Sequence, residues 1–207
     1  MTPIRLSEKV LVMKVFIAVL VLIFSFQSWT KAEDIRDFQI DGMSVGDSLL
    51  DHFTLDEIEE ALKLVTYYPK SKKMKVVPFE ANNSDSYERY DFHIKDNDKD
   101  YIIYSAKGLI KISVDKCLNK KKSIISDIEN ILPNASKRNY INNYGNAYGK
   151  SEAHVNDFLM ASGDIIRVWC QDWDHNNETV KSYKWWDGLA VNVSSKEQID
   201  FVNKEAY

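Results

Sequence analysis

The sequence predicts an α+β fold, an antiparallel sheet with helices packed mainly on one face. Several apolar-alternating runs are joined by short polar or glycine turns, which connect antiparallel neighbours but not parallel ones. Residues 116–132 carry a helical apolar stripe instead. Two Ser/Thr-x-x-Glu/Gln boxes, at Thr54–Glu57 and Ser195–Gln198, mark further helix starts. No Pro/Gly/Ser-rich linker divides residues 33–207, so these elements belong to one domain.

In chain order, a short strand near Ile35–Ile40 leads into Gly42-Met43-Ser44, where Ser44 and Asp47 have helix-start spacing and Val45–His52 follows as a helix. The Thr54 box opens a helix to about Lys63. Strands are expected near 75–80, 87–95, 100–105 and 108–114, with turns at Asp96–Lys99 and Ala106-Lys107-Gly108. The helix at 116–132 stops at Pro133, and residues 134–150 read as a loose segment. Strands near 153–160 and 164–172 meet at Ala161-Ser162-Gly163. A strand near 185–193 precedes the helix opened by Ser195.

The first 32 residues read as a signal peptide. Arg5, Lys9 and Lys14 precede the apolar run Val15–Phe26, and Thr30-Lys31-Ala32 offers a small-x-small exit. Translation from Met13 would give a compact signal ending at the same site. The alternative is an uncleaved inner-membrane anchor built on residues 10–26. The expected address is therefore the periplasm or the exterior, with membrane contact only through that segment.

The chain has 207 residues, 27 Lys+Arg against 31 Asp+Glu, and 12% aromatic residues. Aromatic content of this order excludes a disordered chain, and 7 Gly with 4 Pro exclude a collagen-like one. Removing residues 1–32 takes Arg5, Lys9, Lys14, Lys31 and Glu8 away, leaving 23 basic and 30 acidic side chains. That acidic balance gives no electrostatic footprint for nucleic acid. The basic clusters Lys70-Ser71-Lys72-Lys73 and Lys120-Lys121-Lys122 read as solvated faces.

Cys117 and Cys170 are the only cysteines, and in an exported chain such a pair reads as a disulfide. Periodicity agrees. Cys117 falls on the apolar stripe of the 116–132 helix, and Cys170 shares a strand face with Ile166 and Val168.

Motifs for catalysis are weak. Gly42-Met43-Ser44-Val45-Gly46 matches the letters of a nucleophile elbow, but too few residues precede it to build the parallel sheet that the elbow requires. Asp96–Asp100 opens like a calcium loop yet has Tyr101 where glycine is needed and Lys107 where a bidentate Glu is needed. Asp172, Asp174 and Glu178 are the weak candidates for a cation, and the four histidines show no metal-ligand spacing. No cofactor, metal ion or catalytic residue is assigned.

The residues that suggest binding are aromatic. Trp169, Trp173, Trp185 and Trp186 crowd a short stretch with Asp172, Asp174 and Asp187. On a strand Trp169 and Trp173 would face away from Cys170, while neighbouring Trp185 and Trp186 must point apart. Tyr140, Tyr144 and Tyr148 recur every fourth residue in the loose segment. Exposed aromatics beside acids and amides suit sugar stacking or a partner's hot spot.

The segment IRDFQIDGMSVGDSLLDHF, with VWCQDW and a tryptophan-led final strand far downstream, resembles a group of exported bacterial proteins of no known activity. The resemblance implies export and a shared single domain, and it carries no site residues. The functional expectation is thus a non-catalytic binding module of the cell envelope, facing an envelope protein or glycan. A carboxylate-based envelope hydrolase and a membrane-anchored structural protein are the alternatives.

Overall fold

The computed structural model describes residues 34–82 and 84–207, so the signal-peptide reading lies outside the described residues. The described residues form one compact unit. The strands are β1 (Gln39–Ile40), β2 (Met43–Ser44), β3 (Thr66–Tyr67), β4 (Met74–Glu80), β5 (Arg89–Lys95), β6 (Ser105–Lys111), β7 (Ser136–Asn143), β8 (Glu152–Leu159), β9 (Ile165–Asp172) and β10 (Gly188–Ser194). The α-helices are α1 (Leu55–Leu62), α2 (Val114–Ile131), α3 (Glu178–Tyr183) and α4 (Lys196–Phe201), the last running into a π-turn over Val202–Ala206.

β1 and β2 form a small ribbon, and the other eight strands form one sheet in the order β3-β4-β5-β6-β10-β9-β8-β7. Every neighbour pair is antiparallel. The architecture is α+β, as the alternation and short turns imply. The last strand, β10, enters the middle of the sheet between β6 and β9. Two hairpin-built halves therefore meet on it.

Side-chain alternation gives the sheet two different faces. Val77, Phe92, Ala106, Val191, Val168 and Phe158 share the face that α1 and α2 cover, and all are buried. The core on this side also takes in Ile58 of α1 and Cys117 and Ile128 of α2. Cys117 and Cys170 are bonded, with Cα atoms 5.8 Å apart, which staples α2 to β9. The α1 start follows the expected box: Thr54 N–H donates to Glu57 Oε2 at 2.8 Å and Glu57 N–H donates to Thr54 Oγ1 at 3.3 Å. On the opposite face α4 and its π-turn pack Phe201 and Ala206 on Met74. That packing leaves the remainder of this face open.

Several expected elements change. The stretch after Ser44 contains only one 3-10 turn, Leu49–Asp51, capped by Ser48 with Asp51 rather than by Ser44 with Asp47. Ser44 sits in β2 and its buried hydroxyl faces the carbonyls of Arg36 and Phe38 at 2.9 and 3.0 Å, so it is no helix cap. Residues 100–104 form a loop with a single bridge, Ser48 to Ile102, instead of a strand. The supposedly loose 134–150 contains β7, a full edge strand with every residue exposed. Polar side chains on both faces erased its alternation. They also suit an outer strand, where charge and polarity discourage pairing with another chain. Lys121 is not solvated: it is buried, and its Nζ donates to the carbonyl of His154 at 2.8 Å. Its aliphatic stem packs while the ammonium finds a backbone acceptor.

Candidate functional site

The open face reads best as rows running across the strands, because directly paired residues project on the same side. The central row is Asp91 on β5, Lys107 on β6, Asn192 on β10, Arg167 on β9, Asp157 on β8 and Arg138 on β7. Beside it run His93, Ser105, Ser194 and Ile165 on one side. Leu109, Ala190, Trp169, Val155 and Tyr140 run on the other. A cavity of about 420 Å³ lies over these rows. Its walls are the tyrosines of the β7 side, Tyr140 and Tyr144, and on the opposite side Tyr68, Gln198, Val202 and Tyr207.

Both ends of the central row are ion pairs made on the sheet itself. Asp157 is buried and accepts from Arg167 Nε at 2.6 Å and Nη2 at 3.0 Å, and from Arg138 Nη2 at 2.9 Å. The carboxylate's hydrogen bonds raise the Arg167 pKa. Asp91 is also buried, with Arg89 Nε at 2.8 Å and Lys107 Nζ at 2.5 Å. Burial pushes its carboxyl up, but the two cations outweigh that and hold it below the usual carboxylate range. Between the pairs, Ser105 Oγ donates to Asn192 Oδ1 at 2.7 Å and Asn192 Nδ2 donates to Ser194 Oγ at 2.6 Å. Ser194 Oγ lies 2.9 Å from Ser105 Oγ and closes the ring by donating to it.

His93 forms the other polar anchor. Its Nδ1 is 2.6 Å from Tyr68 Oη and 3.1 Å from Gln198 Nε2. An amide N–H can only donate, so Nδ1 accepts and the ring proton sits on Nε2. Burial, reinforced by the charge of Lys107 and opposed by Asp91, drops the imidazole to about 3, so it is neutral at physiological pH. Because the unfolded ring protonates near 6.5, the unfolded state binds the extra proton first. Stability should therefore fall as pH drops from about 6.5 toward 3. Urea melts across this range should show a shallower fall for His93→Gln than for the parent. An unchanged slope would place the proton uptake elsewhere.

The predicted aromatic residues fall into separate places. Trp169, Tyr140 and Tyr144 line the cavity. Trp173, beyond the end of β9, is buried rather than displayed. It stacks on Tyr144 with centroids 4.6 Å apart and meets Trp185 at 4.5 Å. Tyr148 joins Trp185 at 5.5 Å, and Tyr183, which sequence reasoning missed, stacks on Trp185 at 4.9 Å. These five rings form a stacked cluster around buried Trp173, with Tyr183 exposed at its rim and Tyr144 shared with the cavity wall. Trp186 stands apart: a Cβ at Gly188 would come within 2.5 Å of its ring, so that position has room only for glycine.

Asp172, Asp174 and Glu178 do not converge on one point. Burial, then the neighbouring charges of Asp187 and Glu152, push the Asp172 carboxyl up. Asp174 accepts the backbone N–H groups of Lys150 and Asn176, and Glu178 pairs with Lys181 along α3. Among the described residues no group of three or more His, Cys, Asp or Glu side chains could hold a metal ion. Asp96 of the calcium-like loop bonds Lys75 and Tyr67, while Asp98 accepts the N–H groups of Asp100 and Ile102.

The open-face polar residues escaped sequence reasoning, although one signal was available. Asp91, His93, Lys107, Arg167 and Asn192 interrupt apolar strands at period two, which marks one face as polar but not as concave. No family model, curated protein or solved structure matches this chain.

Proposed function

We propose that this chain is an exported, non-catalytic binding protein whose ligand sits in the cavity on the open sheet face. The observation that carries the reading is the combination of that cavity with a hydrogen-bonded polar floor and aromatic walls. Concave sites of a few hundred Å³ with a few fixed polar groups are the common form of small-ligand pockets. The floor is built on paired strands rather than loops, so its geometry is held before any ligand arrives. Its hydroxyls are engaged in the Ser105–Asn192–Ser194 ring, the His93 acceptor nitrogen is occupied, and both cysteines are bonded. This arrangement suits recognition better than nucleophilic attack.

The export half of the reading rests on the N-terminal sequence and predicts a mature chain beginning at Glu33 in the envelope fraction. Intact-mass measurement checks it, and a full-length chain there would overturn it. The binding half is tested by a small-fragment screen using saturation-transfer NMR on the purified chain. Hits should be lost in Trp169→Ala and kept in Trp185→Ala, whose ring belongs to the stacked cluster outside the cavity. Hits that survive Trp169→Ala but vanish with Trp185→Ala would move the site away from the cavity.

A further inference from the structure

The central row carries three cations, Lys107, Arg167 and Arg138, against two carboxylates, and Arg89 adds a fourth beside it, so its ion pairs leave it with a net positive charge. Its two carboxylates lie at the outer positions, Asp91 beyond Lys107 and Asp157 beyond Arg167, and both are buried. Lys107 and Arg167 therefore flank Asn192 from either side with no carboxylate between them. At one strand spacing per step, their backbones are about 10 Å apart. The same pattern holds across the cavity: its lining includes Lys107 and Arg167 but no Asp or Glu side chain.

Neutral donors surround the same spot. The Asn192 amide uses one hydrogen on Ser194 and retains a second, and the His93 Nε2 proton has no protein acceptor in the structure. No buried side-chain nitrogen or oxygen among the described residues lacks a partner, so this N–H is one that solvent or a ligand reaches. Trp169 follows Arg167 on the same face of β9, and Tyr140 and Tyr144 continue the aromatic wall.

Building on the cavity reading above, we infer that the ligand is a small ring-bearing organic acid, its carboxylate seated over Asn192 between Lys107 and Arg167 and its ring against Trp169 and Tyr140. Two cations with a donor between them favour an anion, and the pairing is strengthened where walls exclude water. A cationic ligand would meet two like charges and no acceptor carboxylate. The cavity volume suits a molecule with one or two rings.

The test measures affinity for two acids and their neutral counterparts: 4-hydroxybenzoate against 4-hydroxybenzamide, and D-glucuronate against D-glucose. The parent chain should prefer at least one acid over its neutral counterpart by roughly tenfold or more. Asn192→Asp should remove that preference, because it places a carboxylate between the cations at nearly unchanged shape. Ser194 can turn its hydroxyl to donate to the new oxygen, so the variant should melt no lower than the parent. Asn192→Ala, which adds no charge but removes the central donor, should reduce the acid preference without abolishing it. Which acid binds separates an aromatic from a sugar source. Equal binding of acid and neutral partner, or an acid preference that survives Asn192→Asp, would overturn the inference while leaving the cavity as the site. Binding by neither acid would also overturn it, and the fragment screen then decides the cavity reading on its own.

Discussion

Replacing Cys117 and Cys170 together by alanine should cost about 4 kcal/mol of unfolding free energy, read as a lower urea midpoint with little change in the native far-ultraviolet spectrum. The bond closes a loop across a sequence separation of 53, and the chain-entropy model assigns roughly that penalty to restoring the unfolded chain's freedom. The native state loses less. Both cysteines are completely buried in the layer between α2 and β9, and alanine leaves only small voids there. Reductant added to the parent should reproduce most of the shift. A double variant as stable as the parent would mean that the reduced chain already holds α2 against the sheet when unfolded.

Asp157→Ala should also be costly, about 2–3 kcal/mol once the partial exposure of the arginines is allowed for, for a different reason. The carboxylate is buried, with Arg167 and Arg138 donating to it and Tyr140 Oη 3.4 Å away. Removing it leaves the Arg167 guanidinium, only partly shielded from solvent, without its carboxylate on the open face. Arg138 should matter much less, because its side chain is more than half exposed and its pair is screened by solvent. Thermal melts of Asp157→Ala and Arg138→Ala, side by side, check this asymmetry. Equal losses would show that the two arginines act as one unit, in which case the double variant should be clearly non-additive.

How much of this was legible in the sequence depends on whether a residue's neighbours are local. The α1 and α4 starts were readable because the N-cap bond closes within four residues, reciprocated by Glu57 at α1 but not by Gln198 at α4, whose side chain turns to His93. The strands β4, β5, β8 and β9 were readable because each alternates apolar with polar residues. β7 was not readable, since as an outer strand it has no buried face to leave a pattern. The turn at Ser48 misled for a related reason. Both Ser44 and Ser48 have an aspartate three residues on, and only the surrounding packing decides which serine caps. Among the aromatics, composition marked the right stretch but not its division. Period two turns Trp169 to the open face, but it says nothing of the rings that bury Trp173 just past the end of β9.

The sequence by itself determined the α+β class, the period of most strands, the stripe of α2 and the cysteine pairing, because each follows from spacing along the chain. Tertiary structure alone decided that β10 enters the centre of the sheet and joins its two halves. That insertion sets Asn192 between Lys107 and Arg167, residues far apart in the chain and aligned only by the register of three strands. It also decided which face stays open, since α1 and α2 cover one side while the short α4 reaches only part of the other. A site made of cross-strand rows has no sequence signature of its own. Its residues are neighbours through hydrogen-bonded registry, and registry is settled only when the whole sheet has found its core.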